Sequence, residues 1–289
     1  VCRAIERHYL PRGAADELPG DRLSSTLAAA DRLDTLAGCW LAGFAPTGAK
    51  DPYALRRHAL ALLRLILDLS APVSLRDLLA RGLAPFAGRP GLKDPATATQ
   101  ELQEFLATRL AVYLAEGLGC APETVRAVMP AHGDAPAAAL AWARDLEKFR
   151  RRGDFQLLAT GFKRCKNILE GRFLPPAERQ GSLGRWLEGG RTPSGTALDG
   201  LPEAAEQELR RQVAGAAARL AAAEGHGDRV AILQELSALG PAIDDFFDTV
   251  RVNVPEPGLR ELRHAFLREI HALFGRYADF GEVAPEEDS

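Results

Sequence analysis

Along this chain apolar residues recur at three- and four-residue intervals, and they seldom alternate with polar ones for more than a few positions. That spacing predicts helices and no sheet, an all-α fold. Helices are expected at about 1–9, 22–43, 51–69, 74–81, 97–118, 122–130, 135–150, 154–170, 202–224, 226–253 and 257–279, the tenth in two pieces broken at Gly240-Pro241. Between them stand turn-forming stretches at 11–21, 44–52 and 85–95, and a longer Gly-, Pro- and Ser-rich connection at 175–202, which reads as a variable loop. No repeat of solenoid period is present.

One predicted helix, in "LLATGFKRCKNILEG" at 157–171, carries more than a core stripe. Leu158, Phe162, Cys165 and Leu169 fall on one face and form the apolar side. Lys163, Lys166 and Asn167, with Arg164 beside them, crowd another. Two cations and an amide within one turn make a donor array that suits phosphate oxygens and the edges of unpaired bases. Charge and periodicity alone leave a second reading open, a solvated face of an amphipathic helix. Just upstream, Arg150, Arg151 and Arg152 close the preceding helix before Gly153, where cations offset the helix dipole and also lie close to the Lys163 helix. Phe149 and Phe155 read as buried rather than base-stacking.

A second basic strip is predicted in "PTGAKDPYALRRHALALLRLIL" at 46–67. Asp51 reads as N-cap with Pro52 at the first helical position. Lys50, Arg56 and Arg57 gather near that start, and Arg64 lies one heptad beyond Arg57. Surface arginines snorkelling over leucines account for the same pattern. In "AAADRLDTLAG" Asp31 and Asp34 share a helix face, but His8 alone accompanies them, so pairing with Arg32 is the expected role rather than metal binding.

The remaining composition narrows the picture. The 289 residues are 46% hydrophobic with a formal charge of −3, so the chain is core-forming and no polycation; any nucleic-acid contact must come from a local patch. Charge is uneven: residues 141–180 hold ten Lys or Arg against five Asp or Glu, and 241–289 hold five against eleven. Four scattered cysteines form no C-x-x-C pair, and the histidines form no H-E-x-x-H, so neither a disulfide framework nor a metal site is expected. His264 and His271 share a helix face and read as packed or partner-facing. The P-loop, dinucleotide-binding and nucleophile-elbow signatures are absent, and no self-contained active site is expected. The longest apolar run is far short of the roughly 18 to 20 residues of a membrane span. Without an initiating Met or a leader, the chain reads as a cytoplasmic piece of something longer.

Three collinear blocks then carry a resemblance. The stretch from "ERHYLPRG" through "ADRLDTLAG" to "PTGAKDPYALRRHALALLRLIL", the helix "ATGFKRCKNIL" and the segment "LGPAIDDFFDTVRVNVPEPGLRELRHAFLREIHALFGRYADF" together resemble the bacterial glycyl-tRNA synthetase beta subunit family. The resemblance implies the C-terminal half of such a subunit. Residues 1–95 would be the end of an HD-like helical domain, and 96–289 a helical anticodon-binding, DALR-like region of the arginyl-tRNA synthetase type. It implies glycine tRNA as partner, and an alpha subunit in an α2β2 assembly that uses ATP and Mg. No cofactor is expected in this chain. It turns Lys163, Arg164, Lys166 and Asn167, with Arg150 and Arg151, into expected contacts to the anticodon arm, and Lys50, Arg56 and Arg57 into an expected phosphate strip. The HD-type metal site lies upstream of this chain, with only Asp31 able to correspond to its closing acid. A metal-dependent phosphohydrolase and a subunit-docking scaffold are the alternatives weighed.

Overall fold

The computed structural model describes residues 1–86, 88–169 and 201–284. Among these the chain is helical and contains no strand, only an isolated antiparallel bridge between Thr47 and Lys50. The expected variable loop at 175–202 lies, but for its last two residues, outside the described residues. The chain divides into two compact units: Val1–Cys120 with His132–Ala141, and Ala121–Ala131 with Trp142–Ser289. The boundary expected at 95/96 falls inside the first unit, at the start of a helix.

The first unit holds α1 (Cys2–Arg7), α2 (Arg22–Leu41), α3 (Leu55–Asp68), α4 (Leu75–Leu83) and α5 (Pro95–Val112), the last continued by a π-helical turn over Tyr113–Gly117. Its core is aliphatic: Leu36, Leu55, Leu63, Leu65, Leu75, Leu79, Leu102, Leu106 and Leu110 are fully buried. Each such leucine contributes about 1.5–3 kcal/mol through its burial. Trp40 Nε1 on α2 and Lys93 Nζ both donate to Glu101 on α5, at 2.9 and 2.7 Å, so the polar rim of that core is also tied.

The start of α3 differs from the sequence expectation. The helix begins at Leu55 rather than at Pro52, with Ala54 as N-cap in the left-handed region at φ 54°. Asp51 still does the capping, from further upstream: its two carboxylate oxygens accept the N–H groups of Leu55 and Arg56 at 2.7 and 3.0 Å. Satisfying two orphan donors at once leaves Pro52 and Tyr53 in a turn instead of in the helix.

The second unit contains most of α6 (Pro122–His132) and the end of α7 (Pro136–Phe149), then α8 (Asp154–Ile168), α9 (Ala204–His226), α10 (Arg229–Ser237), α11 (Gly240–Thr249) and α12 (Pro257–Gly275), closed by a 3-10 turn at Phe280–Glu282. The predicted break at Gly240-Pro241 is where α11 begins, with proline in its first turn. Phenylalanines fill this core. Phe162 of α8 stacks on His271 at 4.8 Å and meets Phe274 and Phe280 at 6.0 and 5.8 Å between ring centres. Phe149 and Phe155 are buried against each other, edge to face, as expected.

Glycine lets α8 and α11 approach. A Cβ at Gly240 would lie 2.8 Å from Leu157 Cβ and 3.2 Å from its backbone, and one at Gly161 would lie 3.3 Å from Ile243. No described helix is long and apolar enough to cross a membrane.

Candidate nucleic-acid interface

The apolar stripe on α8 is buried as its period requires. Leu158, Phe162 and Cys165 are sealed, and Leu169 is half-buried. Burial in apolar surroundings pushes the Cys165 thiol up to about 12. That stripe fixes the rotation of the helix and so decides what the cationic edge faces.

The edge divides. Arg164 donates to Asp244 and to Asp248 of α11, at 2.7 Å each, and its guanidinium stands 5.1 Å from the centre of the Phe247 ring. The carboxylates of Asp248 and Asp244 hold it above its ordinary pKa. Lys166 Nζ reaches both carboxylate oxygens of Asp279, at 3.1 and 2.9 Å, and both side chains are largely buried. Asp279 in turn accepts from Gly281 N at 3.1 Å, so Lys166 fastens α8 to the closing 3-10 turn. These two cations are balanced within the protein and add little field outside it.

Lys163 and Asn167 differ. Both are exposed, and neither side chain forms a hydrogen bond or ion pair with another described residue. Four apart on α8, they share a face, so an ammonium and an amide stand ready beside each other. The arginines before the helix differ in exposure. Arg150, half-buried, donates to Glu123 of α6 at 2.7 Å and, with a backbone N–H, holds that carboxyl below the usual range. Arg152 pairs with Asp154 and lies over the Phe149 ring. Arg151 is exposed.

In the first unit Lys50 is exposed at the Thr47–Lys50 bridge, and Arg56 donates back to Gly48 O at 2.5 Å. Arg57 is exposed, and its side chain has no hydrogen-bond or ion-pair partner among the described residues. Arg64, expected to align with them, instead clamps the 11–21 stretch by donating to Gly13 O and Asp16 O, at 2.8 Å each. Asp31 accepts from Arg32 at 2.8 Å, the pairing its sequence context suggested. Among the described residues no group of three or more His, Cys, Asp or Glu stands close enough to hold a metal ion.

Sequence reasoning missed the acids that claim Arg164 and Lys166. Asp244, Asp248 and Asp279 lie 80, 84 and 113 residues downstream of their partners. The excess of acid at 241–289 opposite a basic 141–180 was the only signal of that complementarity.

An all-α chain with uncommitted donors on helix faces fits a helical binding module. Residues 1–130 match the family model described as glycyl-tRNA synthetase beta subunit. The whole chain is similar to curated proteins named glycine--tRNA ligase beta subunit. That of Citrifermentans bemidjiense is 34% identical over 285 residues, covering 99% of this chain and 38% of the relative. That of Ralstonia nicotianae is 34% identical, covering 98% and 38%, and that of Myxococcus xanthus 37% identical, covering 99% and 39%. By the family model over residues 1–130, and by these relatives over nearly its whole length, the chain is similar to glycyl-tRNA synthetase beta subunits. It spans about two-fifths of the length of the curated relatives it matches.

Proposed function

We propose that this chain is a tRNA-gripping portion of a glycyl-tRNA synthetase beta subunit. It supports ATP-dependent attachment of glycine to its tRNA in the cytoplasm. The chemical step, with ATP and Mg, belongs to the alpha subunit of an α2β2 assembly, and this chain supplies binding and positioning. The observation that carries the reading is the similarity to beta subunits over 99% of the chain. The exposed Lys163 and Asn167 add a physical means, a phosphate-pairing ammonium next to an amide able to read a base edge. Arg151 stands near the start of the same helix, and Lys50 and Arg57 offer further phosphate contacts. Arg164 and Lys166 act through the fold, by setting the orientation of α8, and Arg150 by tying the end of α7 to α6.

Aminoacylation by the assembled alpha and beta subunits tests this. Lys163→Ala should raise the KM for glycine tRNA about three- to tenfold with kcat unchanged, as expected for lost binding away from the reacting atoms. An unchanged KM for tRNA would remove α8 from the interface.

A further inference from the structure

A pocket of about 320 Å³ opens in the first unit at the start of α3, with Tyr9, Arg12, Arg32, Arg57 and His58 among its walls. Three arginines line it. Arg32 is buried and fixed in place, donating to Tyr9 O at 2.6 Å and to Asp31 at 2.8 Å. Arg12 shares its charge with Asp16 at 3.0 Å. Arg57 has no ion pair among the described residues, so one positive charge is left without an internal counter-ion. Asp51, the other acid near His58, is occupied with the N–H groups of Leu55 and Arg56. The helix N-terminus is thus already capped, and the side chains alone supply the attraction.

His58 gives a second, independent sign. Its Nδ1 is buried and has no hydrogen-bond partner among the described residues. A buried polar atom left unpaired carries a standing cost, which marks this wall of the pocket as incompletely satisfied. Guanidinium forks match tetrahedral oxyanions, and an excess cation beside a fixed one favours an anion with several acceptor oxygens over a single carboxylate.

We propose that this pocket is a phosphate site, in which Arg57 and Arg32 hold a phosphate group beside the His58 imidazole. The group comes either from a small phosphomonoester or from an RNA backbone, and the site rests on the tRNA reading only for the second source. Burial, Arg32 and Arg57 hold the His58 imidazole below its ordinary pKa, against the opposing pull of Asp31 and Asp51. A bound phosphate, set among these groups with Arg12 and Tyr9, would raise it again.

The test follows the His58 ring resonances of the 289-residue chain through a pH titration in sodium phosphate and in sodium chloride of equal ionic strength. Phosphate binding is measured separately by calorimetry. Saturable binding that raises the His58 midpoint is expected, with affinity lowered tenfold or more in Arg57→Ala and unchanged in the exposed-arginine control Arg81→Ala. Arg57 is exposed, so Arg57→Ala should keep its thermal midpoint without phosphate. His58→Gln, read by calorimetry, provides a second variant. A His58 titration that follows ionic strength alone, or an Arg57→Ala protein that binds phosphate as tightly as the parent, would overturn the site.

Adenosine monophosphate and glycine tRNA separate the sources. Loss of inorganic phosphate and monophosphate binding alone in Arg57→Ala identifies a small phosphomonoester. A parallel drop of about 0.9 in the tRNA salt slope identifies a backbone phosphate. The phosphate measurements need no tRNA, so they stand whether or not Lys163 contacts it.

Discussion

Lys166 and Lys163 sit three residues apart on one helix and yet do different physical work. Lys166 is about one-fifth exposed and opposes an Asp279 carboxylate that is 7% exposed. Removing the ammonium leaves that carboxylate largely desolvated with only a backbone N–H. We expect Lys166→Ala to lower stability by about 2–3 kcal/mol, below the figure for a fully buried pair because some solvent reaches it. Chemical denaturation measures this; a loss under 0.5 kcal/mol would place Lys166 with the exposed cations. A second residue-scale effect appears in base. Cys165 keeps its proton to about pH 12, and Tyr277, buried and donating to Glu224 at 2.6 Å, is pushed well above the usual phenol range. The unfolded chain releases both protons earlier, so the native state binds more protons and loses stability as pH rises. The decline should begin near pH 9, the ordinary thiol value, and steepen above 10 as tyrosine joins. Each group contributes at most about 1.4 kcal/mol per pH unit. Cys165→Ala should flatten the first part of that decline in denaturation curves taken between pH 8 and 11.

Elements follow their sequence most closely where one face decides the structure. The buried stripe of α8 was legible because its period matches the helix, and the break before α11 because Gly240-Pro241 cannot continue one. The start of α3 was legible only in part. Asp51 was recognisable as a cap, but that it would take two N–H groups and leave Pro52 outside the helix depends on the Thr47–Lys50 turn, which no periodicity announces. The contact between α8 and α11 was not legible, since a glycine needed for close approach looks locally like any helix-breaking glycine. It carries a direct expectation. Gly240→Ala pushes a methyl group into Leu157, where backbone as well as side chain must yield, and should cost about 1–3 kcal/mol. Thermal unfolding checks this, and an unchanged midpoint would show that the two helices separate without strain.

At the scale of the molecule, charge sets how the proposed tRNA partner can be held. The chain carries a formal charge of −3, and many of its cations are paired internally, so attraction must come from few uncommitted groups. The sequence displayed where positive charge is dense. It hid which of those charges are spent, because ion pairs spanning 80 residues or more depend on the packing of α8 against α11 and the closing turn. A tRNA interface built from few free cations should show a shallow salt dependence, losing a fixed step with each one removed. The most direct measurement is therefore the salt-titrated binding of glycine tRNA by the parent chain, Lys163→Ala and Lys166→Ala. Lys163→Ala is expected to weaken binding and lower the slope of log affinity against log salt by about 0.9, with stability unchanged. Lys166→Ala, compared at a temperature where it is folded, should keep the parent slope. The opposite assignment, a slope that falls with Lys166 and is indifferent to Lys163, would contradict it.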